Sequence, residues 1–201
     1  MKITKNIWRL TATKGAGAYL IHTTTGYILI DTGFSFDTKN LRKELADMGV
    51  GELSCILLTH HDPDHIGSAS VLQQKYRCKM YIHSLDMPYA TGHTQRSGTK
   101  RLFDKVFKTS TAGEYLPLED FTHPDIRIYH APGHTPGHSL ILYDKFLFCG
   151  DFYRNPKLRL RPYAKRVGWV TADLVAALQS MVDRPFCWLC PGHFVPHMLE
   201  N

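Results

Sequence analysis

The sequence predicts a layered fold of helices and strands, of the α/β or α+β class, on three observations. Short apolar runs that are typical of buried strands alternate with segments of helical periodicity in both halves of the chain. The 201 residues are 43% hydrophobic and 21% charged, which are ordinary values for a globular protein. No linker-like or low-complexity segment interrupts the sequence, so we expect one domain over residues 1–201.

The N-terminal half contains apolar patterns of both kinds. Leu41, Leu45 and Met48 fall on one face of a helix. Gly49 suits the position just after the end of that helix. The continuous apolar run at 54–59 is typical of a buried strand. The elements predicted here are a hairpin within 19–31 with its turn at Gly26, a helix over 37–48, a strand over 54–59, a helix from Pro63 with Ile66, Ala69 and Leu72 on its inner face, and a strand over 79–83.

The C-terminal half continues this alternation after an irregular stretch. Residues 84–125 hold no strong period and predict only loops and helical turns. Thr171 suits the N-cap of a later helix. The further elements predicted are a strand over 126–131, a hairpin over 139–150 with a two-residue turn, a basic loop after it, a helix that carries Leu174, Val175, Leu178 and Met181 inward, and a last strand over 186–190.

Histidines and aspartates cluster directly after four of the predicted strands. The four segments are His60-His61-Asp62-Pro63-Asp64-His65, Pro132-Gly133-His134, Gly150-Asp151 and Pro191-Gly192-His193. Loops that leave strand ends converge at the edge of a sheet, so we expect these side chains to meet. Imidazole and carboxylate together suit zinc, iron or manganese, whereas crowded carboxylates without a cation repel one another. The pattern therefore predicts a site for two or more divalent cations.

The triplet Pro-Gly-His occurs three times, ending at His134, His138 and His193. Proline stiffens the approach of the chain, and glycine allows a sharp turn with little bulk beside an ion. The triplet is therefore suited to a histidine that binds metal.

These motifs together resemble those of the metallo-β-lactamase-fold superfamily, in its glyoxalase II-like or lactonase-like branch. The resemblance extends from the strand at 27–33 to the last Pro-Gly-His and implies an αββα sandwich with a metal site at one edge of its two sheets. His138 is then expected behind the site, and Asp31 to support it without binding metal. The resemblance implies seven ligands: His60, Asp62 and His134 for one cation, Asp64, His65 and His193 for the other, and Asp151 as a bridge.

Asp62 departs from the most common form of the family motif, which has a histidine at this position. Zinc is our first expectation for the metal. An added carboxylate favours iron or manganese over zinc, so those two metals are the alternatives. An Asp62→His change is accordingly expected to shift the preference toward zinc. The other interpretation of Asp62 is an N-cap for the helix that begins at Pro63.

The resemblance implies a metal-dependent hydrolase with two divalent cations. A hydroxide shared by the cations would attack an ester-type bond, such as that of a lactone or a thioester. We expect Asp64 to orient the nucleophile or move a proton, and Tyr153 to donate to the oxyanion. Three alternatives stay open: a phosphodiesterase, a mononuclear-iron oxidoreductase resembling persulfide dioxygenases, and a non-catalytic module that binds metal.

The net charge is +6, and much of it lies in two segments that form either a solvated surface or a region that attracts a small anionic substrate. Two basic segments lie at 95–108 and 157–166, and Arg159 and Arg161 of the second are our candidates for substrate binding. Interleaved aromatic residues are sparse there, which argues against nucleic acid. No apolar run approaches the length of a membrane span or a signal segment, so a cytoplasmic protein is expected. The sequence makes no prediction of oligomeric state.

The five cysteines are an odd number without the spacing of a disulfide framework. Cys187 and Cys190 form a C-x-x-C pair, but a strand would direct them to opposite faces. We therefore expect neither a redox nor a zinc role for this pair.

Overall fold

The strands form two mixed sheets in the computed structural model, which describes residues 1–96, 101, 106–107, 109–154 and 172–199. All element bounds below refer to those residues. In chain order the elements are β1 (Ile7–Arg9), β2 (Tyr19–Thr23), β3 (Gly26–Ile30), α1 (Thr38–Asp47), β4 (Cys55–Leu57), α2 (Pro63–Ile66), α3 (Ala69–Tyr76), β5 (Lys79–Ile82), α4 (Met87–Ala90), β6 (Leu116–Pro117), β7 (Ile126–His130), β8 (Ser139–Tyr143), β9 (Phe146–Gly150), α5 (Ala172–Met181), β10 (Trp188–Pro191) and β11 (His197–Met198).

The first sheet has the order β1-β2-β3-β4-β5-β6, and the second has the order β11-β10-β9-β8-β7. In the first sheet, β1 to β3 pair antiparallel and β3 to β6 pair parallel. In the second, β10 runs parallel to β9, and the other neighbours are antiparallel. The carboxyl ends of β3, β4, β5, β7, β9 and β10 are therefore available to carry loops toward a common edge.

Apolar side chains form three core clusters, which define four layers. Leu41 of α1 and Leu72 of α3 pack with Ile56 on the outer face of the first sheet. Leu57 and Phe148 belong to the cluster between the two sheets. The third cluster lies between the second sheet and α5, and it contains Leu140, Leu147, Leu174 and Leu178. The αββα architecture implied by the family resemblance is confirmed.

Alternation of side chains along the strands explains how both faces of each sheet are buried. Ile28 and Ile30 of β3 face the middle cluster, whereas Leu29 between them faces the helices. In β9, Phe148 faces the middle cluster and Leu147 faces the opposite way. Sheets covered on both faces need continuous apolar strands, which is the pattern seen in the sequence.

The prediction of a single helix from Pro63 is wrong, because α2 ends at Ile66 and a separate helix, α3, begins at Ala69. Gly67 lies in the break, where its N–H donates to the carbonyl of Gly33 at 2.9 Å. A Cβ atom at this position would lie 2.3 Å from the backbone nitrogen of Ser35. Close approach to a neighbouring segment therefore interrupts the helix.

The irregular stretch at 84–125 contains α4 and β6, both of them short. Thr171 and the basic loop at 157–166 lie outside the described residues. Cys187 is half-buried and Cys190 faces the middle cluster, and both are free thiols. Within the described chain, no helix has the length and apolar composition needed to cross a bilayer.

Candidate metal centre

Strand ends of both sheets deliver polar side chains to one edge of the sandwich. The backbone N–H of Ser139, at the start of β8, donates to the carbonyl of Thr59 after β4 at 2.9 Å and joins the two sheets there. The side chains that follow strand ends are Asp31 after β3, His60 after β4, Asp86 after β5, His134 after β7, Asp151 after β9 and His193 after β10.

His60, Asp62 and His134 form one group of three possible metal ligands. One ligand atom from each lies within 4.8 Å of the other two. The Oδ2 atom of Asp62 lies 3.1 Å from Nε2 of His134 and 3.9 Å from Nε2 of His60. The structure thus brings together the three residues predicted for the first cation.

Asp64, His65 and His193 form a second group that meets the same 4.8 Å limit. Nε2 of His193 lies 3.1 Å from Oδ2 of Asp64. This group contains the three residues predicted for the second cation.

Asp151 lies between the two groups. Its Oδ2 atom is 3.6 Å from Nε2 of His134 and 3.3 Å from Nε2 of His193. Its Oδ1 atom is 3.4 Å from Nε2 of His65. A carboxylate with one oxygen near histidines of both groups has the geometry expected of a bridge.

The donor atoms fit a bound cation. Nε2 of His60 and Nε2 of His65 are buried, and neither makes a well-formed hydrogen bond to a described residue. Buried polar atoms normally have partners, and an absent ion is one explanation for exceptions. The mixture of imidazole nitrogens and carboxylate oxygens suits zinc, iron or manganese.

The charge states favour metal binding by the carboxylates. Burial raises the pKa of Asp151, but the nearby His65 and His193 imidazoles outweigh it and hold that pKa well below its usual range. Burial likewise raises the pKa of Asp64, and the same two histidines lower it overall. The side chains of Asp64 and Asp151 are therefore ionised at neutral pH.

Asp31 orients the second group without facing its centre. Its Oδ2 atom lies 2.8 Å from Nδ1 of His65 and accepts the hydroxyl of Thr59 at 2.8 Å. Donation from Nδ1 directs Nε2 of His65 toward Asp151, an arrangement typical of metal-binding histidines. Asp31 itself has a φ of 55°, which a non-glycine residue rarely adopts.

His138 lies behind the site, as the sequence suggested. Its Nε2 atom accepts the backbone N–H of Asp151 at 3.1 Å. Burial lowers the pKa of His138 to about 3, so the ring is neutral and can accept this bond. His138 therefore fixes the backbone that carries the central carboxylate.

Asp62 does not cap α2 with its side chain. It occupies the N-cap position before Pro63, yet its carboxylate makes no capping hydrogen bond. Its Oδ1 atom instead accepts the guanidinium of Arg96 at 2.6 Å, and both side chains are buried. The helix-cap interpretation of this carboxylate is wrong.

Asp86 is a buried carboxylate that sequence analysis missed. Its Oδ2 atom accepts the backbone N–H of His61 at 3.0 Å and the hydroxyl of Thr135 at 2.8 Å, while Oδ1 accepts the N–H of Gly137 at 2.6 Å. Nδ1 of His61 also lies 2.9 Å from Oδ2. Asp86 thus holds together the two loops that carry candidate ligands. Its position after the predicted strand β5 was the sequence feature that could have identified it.

The described contacts do not link the remaining predicted site residues to the candidate metal ligands. Tyr153 is buried in the cluster beneath α5, with its ring 5.1 Å from that of Phe194, and its catalytic role stays a prediction. Arg159 and Arg161 lie outside the described residues. Arg96 and Arg101, from the first basic segment, line a cavity of about 410 Å³ beside His61 and Tyr89.

Comparison with known proteins identifies similar sequences over most of the fold. A family model described as the metallo-beta-lactamase superfamily matches residues 16–193. The probable metallo-hydrolase YybB of Bacillus subtilis (strain 168) is 31% identical over 143 residues, which are 69% of this chain and 62% of that protein. A hydroxyacylglutathione hydrolase of Shewanella loihica is 30% identical over 135 residues, covering 66% of this chain and 45% of that protein. The chain therefore spans less than two thirds of the length of these curated relatives.

A solved structure has a similar fold. The crystal structure of TTHA1623 in a di-iron-bound form has a TM-score of 0.67 and 26% sequence identity. The similarity covers 95% of this chain and 94% of that one.

Proposed function

The chain belongs to the metallo-beta-lactamase superfamily, and we propose that it is a dinuclear metal-dependent hydrolase of an ester-type bond in a small substrate. The observation that carries this proposal is the position of Asp151, whose Oδ2 atom faces histidines of both ligand groups. Metallo-hydrolase and hydroxyacylglutathione hydrolase relatives support it. The name of the latter makes thioesters the first substrate class to test.

Each group of this chain has a distinct part in the proposed reaction. His60, Asp62 and His134 would hold one divalent cation, and Asp64, His65 and His193 the other, with Asp151 common to both. When bound, such cations supply Lewis-acid activation of water and stabilise the charge that develops on the substrate oxygen.

Asp64 is the candidate for handling a proton. Its pKa lies below the usual range, so the group is an ionised carboxylate that can accept a hydrogen bond from a water molecule and orient it at neutral pH. The Oδ2 atom beside His193 is held in place by that contact at 3.1 Å. Tyr153 remains a second candidate, as a donor to the oxyanion.

The residues that line the cavity beside the site suit a substrate with an anionic or polar group. Arg101 contributes positive charge to the cavity lining, whereas the charge of Arg96 is paired with a buried carboxylate. Tyr89 contributes an aromatic surface stacked on His61. Arg101→Ala is therefore expected to raise KM for a carboxylated thioester more than for a neutral analogue. The Arg159→Ala/Arg161→Ala double variant tests the second basic segment in the same assay.

The main test combines metal analysis with an activity panel of lactones, thioesters, simple esters and phosphodiesters. Asp151→Ala should abolish hydrolysis and lower occupancy at both positions, and Asp151→Asn should bind metal with intermediate strength. The exposed Asp47→Asn serves as the matched control. Turnover of phosphodiesters alone, or oxygen uptake with glutathione persulfide in an iron form, would replace the proposal with the corresponding alternative.

A further inference from the structure

The two oxygens of Asp62 have different partners. Oδ1 accepts Nη1 of Arg96 at 2.6 Å, whereas Oδ2 lies in the first ligand group, 3.1 Å from Nε2 of His134. The side chains of Arg96 and Asp62 are only 6% and 10% exposed. A short contact between buried partners fixes which oxygen is directed toward the candidate cation.

The charges of this pair cancel. A guanidinium is a cation, so Arg96 contributes one positive charge. The carboxylate and guanidinium together carry no net charge and direct one carboxylate oxygen, Oδ2, toward the site. A neutral imidazole also carries no charge and offers one nitrogen.

We propose that Asp62 and Arg96 act together in place of one neutral histidine ligand at the first metal position. Arg96 is a positioning residue: it leaves a single oxygen of Asp62 for the cation and cancels the added negative charge. The inference rests on the proposed metal site. It also changes the outcome expected for Asp62→His, because that substitution alone leaves the buried charge of Arg96 beside an imidazole and a cation.

A cycle of substitutions tests the pair. The proteins are the parent, Asp62→His, Arg96→Met, and the double variant Asp62→His/Arg96→Met. Metal is removed, and Co²⁺ and Zn²⁺ affinities at the first position are measured by competition with a coloured chelator. Visible spectra of the Co²⁺ forms report coordination number, because absorptivity falls as coordination number rises.

Asp62→His alone should weaken binding at the first position by about tenfold or more, a loss typical of disturbed support for a ligand. The double variant should recover most of that loss, although it carries one more substitution. Arg96→Met alone should lower the visible absorptivity of the Co²⁺ form, because Asp62 can then bind through both oxygens.

Two controls separate charge from structure. Asp62→His/Arg96→Lys retains the positive charge and should bind as weakly as Asp62→His. Asp62→His/Arg42→Met removes a charge from the exposed face of α1 and should give no recovery. Thermal unfolding of each metal-free form identifies any variant that fails to fold, and Arg96→Gln replaces Arg96→Met if that variant fails.

The outcomes distinguish this inference from the proposed function. A parent protein that binds no metal contradicts the proposed function. A parent that binds metal, with affinity losses that simply add in the double variant, overturns the pairing of Asp62 with Arg96.

Discussion

At the scale of single residues, the buried carboxylate of Asp86 connects the loop that carries His60 to the loop that carries His134. Asp86→Ala leaves the N–H groups of His61 and Gly137 without this acceptor. Each buried donor that loses its partner costs about 1–3 kcal/mol. We expect unfolding free energy to fall by about 3 kcal/mol and Tm by about 6–12 °C.

Calorimetry and metal titration check this prediction, with the exposed Asp120→Ala as control. Metal affinity should fall by about tenfold in Asp86→Ala, because its loops lose their shared anchor. Unchanged affinity in a destabilised variant would restrict Asp86 to holding the fold.

Gly192 lies too close to the candidate ligands to carry a side chain. A Cβ atom there would be 2.6 Å from Cε1 of His65 and 2.8 Å from Oδ1 of Asp151. We expect Gly192→Ala to displace these groups at a cost of about 1–3 kcal/mol, which corresponds to a metal affinity loss of about 5–150-fold.

The matched control is Gly51→Ala, because a Cβ at Gly51 would have no atom within 4 Å. Equilibrium dialysis measures occupancy of both variants at limiting metal. Equal occupancy in the two proteins would show that the site adapts to the added methyl group.

Among the elements, the start of β2 and the residues just before it anchor the end of β10. The hydroxyl of Tyr19 donates to the carbonyl of Pro191 at 2.7 Å, and the N–H of Gly17 donates to the carbonyl of Gly192 at 2.5 Å. Tyr19→Phe removes the first bond and should lower stability by about 1 kcal/mol. Binding at the position of His193 should weaken, whereas binding at that of His134 should not.

Chemical denaturation and stepwise metal titration measure the two effects. Tyr143→Phe is the control, because the hydroxyl of Tyr143 donates to the backbone carbonyl of His22 at 3.3 Å at an exposed position. An equal change at both metal positions would contradict a local role for the β2–β10 contact.

Local patterns made the strands and the first helix predictable. The continuous apolar run at 54–59 contains β4, and the spacing of Leu41 and Leu45 corresponds to the buried face of α1. The break at Gly67 was not predictable, because it depends on the approach of a segment thirty residues earlier in the chain. Helical periodicity continues across it and carries no sign of that contact.

The candidate site was predictable where a motif lies next to a strand end. The residues that hold the candidate ligands in place were not predictable. Asp86 and Arg96 come from a stretch without strong periodicity and act through contacts across the fold. Sequence analysis consequently treated Asp62 as an isolated departure, whereas the structure pairs its charge with a guanidinium.

At the scale of the whole molecule, metal binding should stabilise the folded chain. Ligands that bind only the folded state add about 2.7 kcal/mol per site at a concentration one hundred times Kd. For a chain of this length that corresponds to a rise in Tm of about 5–10 °C per site. Differential scanning fluorimetry with and without chelator measures this rise, and Asp151→Ala should show a much smaller one.

Two cations are expected to bind in the two ligand groups that share Asp151. Anomalous diffraction from crystals grown with Zn²⁺ or Co²⁺ would locate both of them. We predict two peaks about 3.5–4 Å apart. One should lie about 2.0–2.2 Å from ligand atoms of His60, Asp62 and His134, and the other at the same distance from Asp64, His65 and His193. A single peak, or peaks that do not contact these residues, would show that the two ligand groups do not form a dinuclear site.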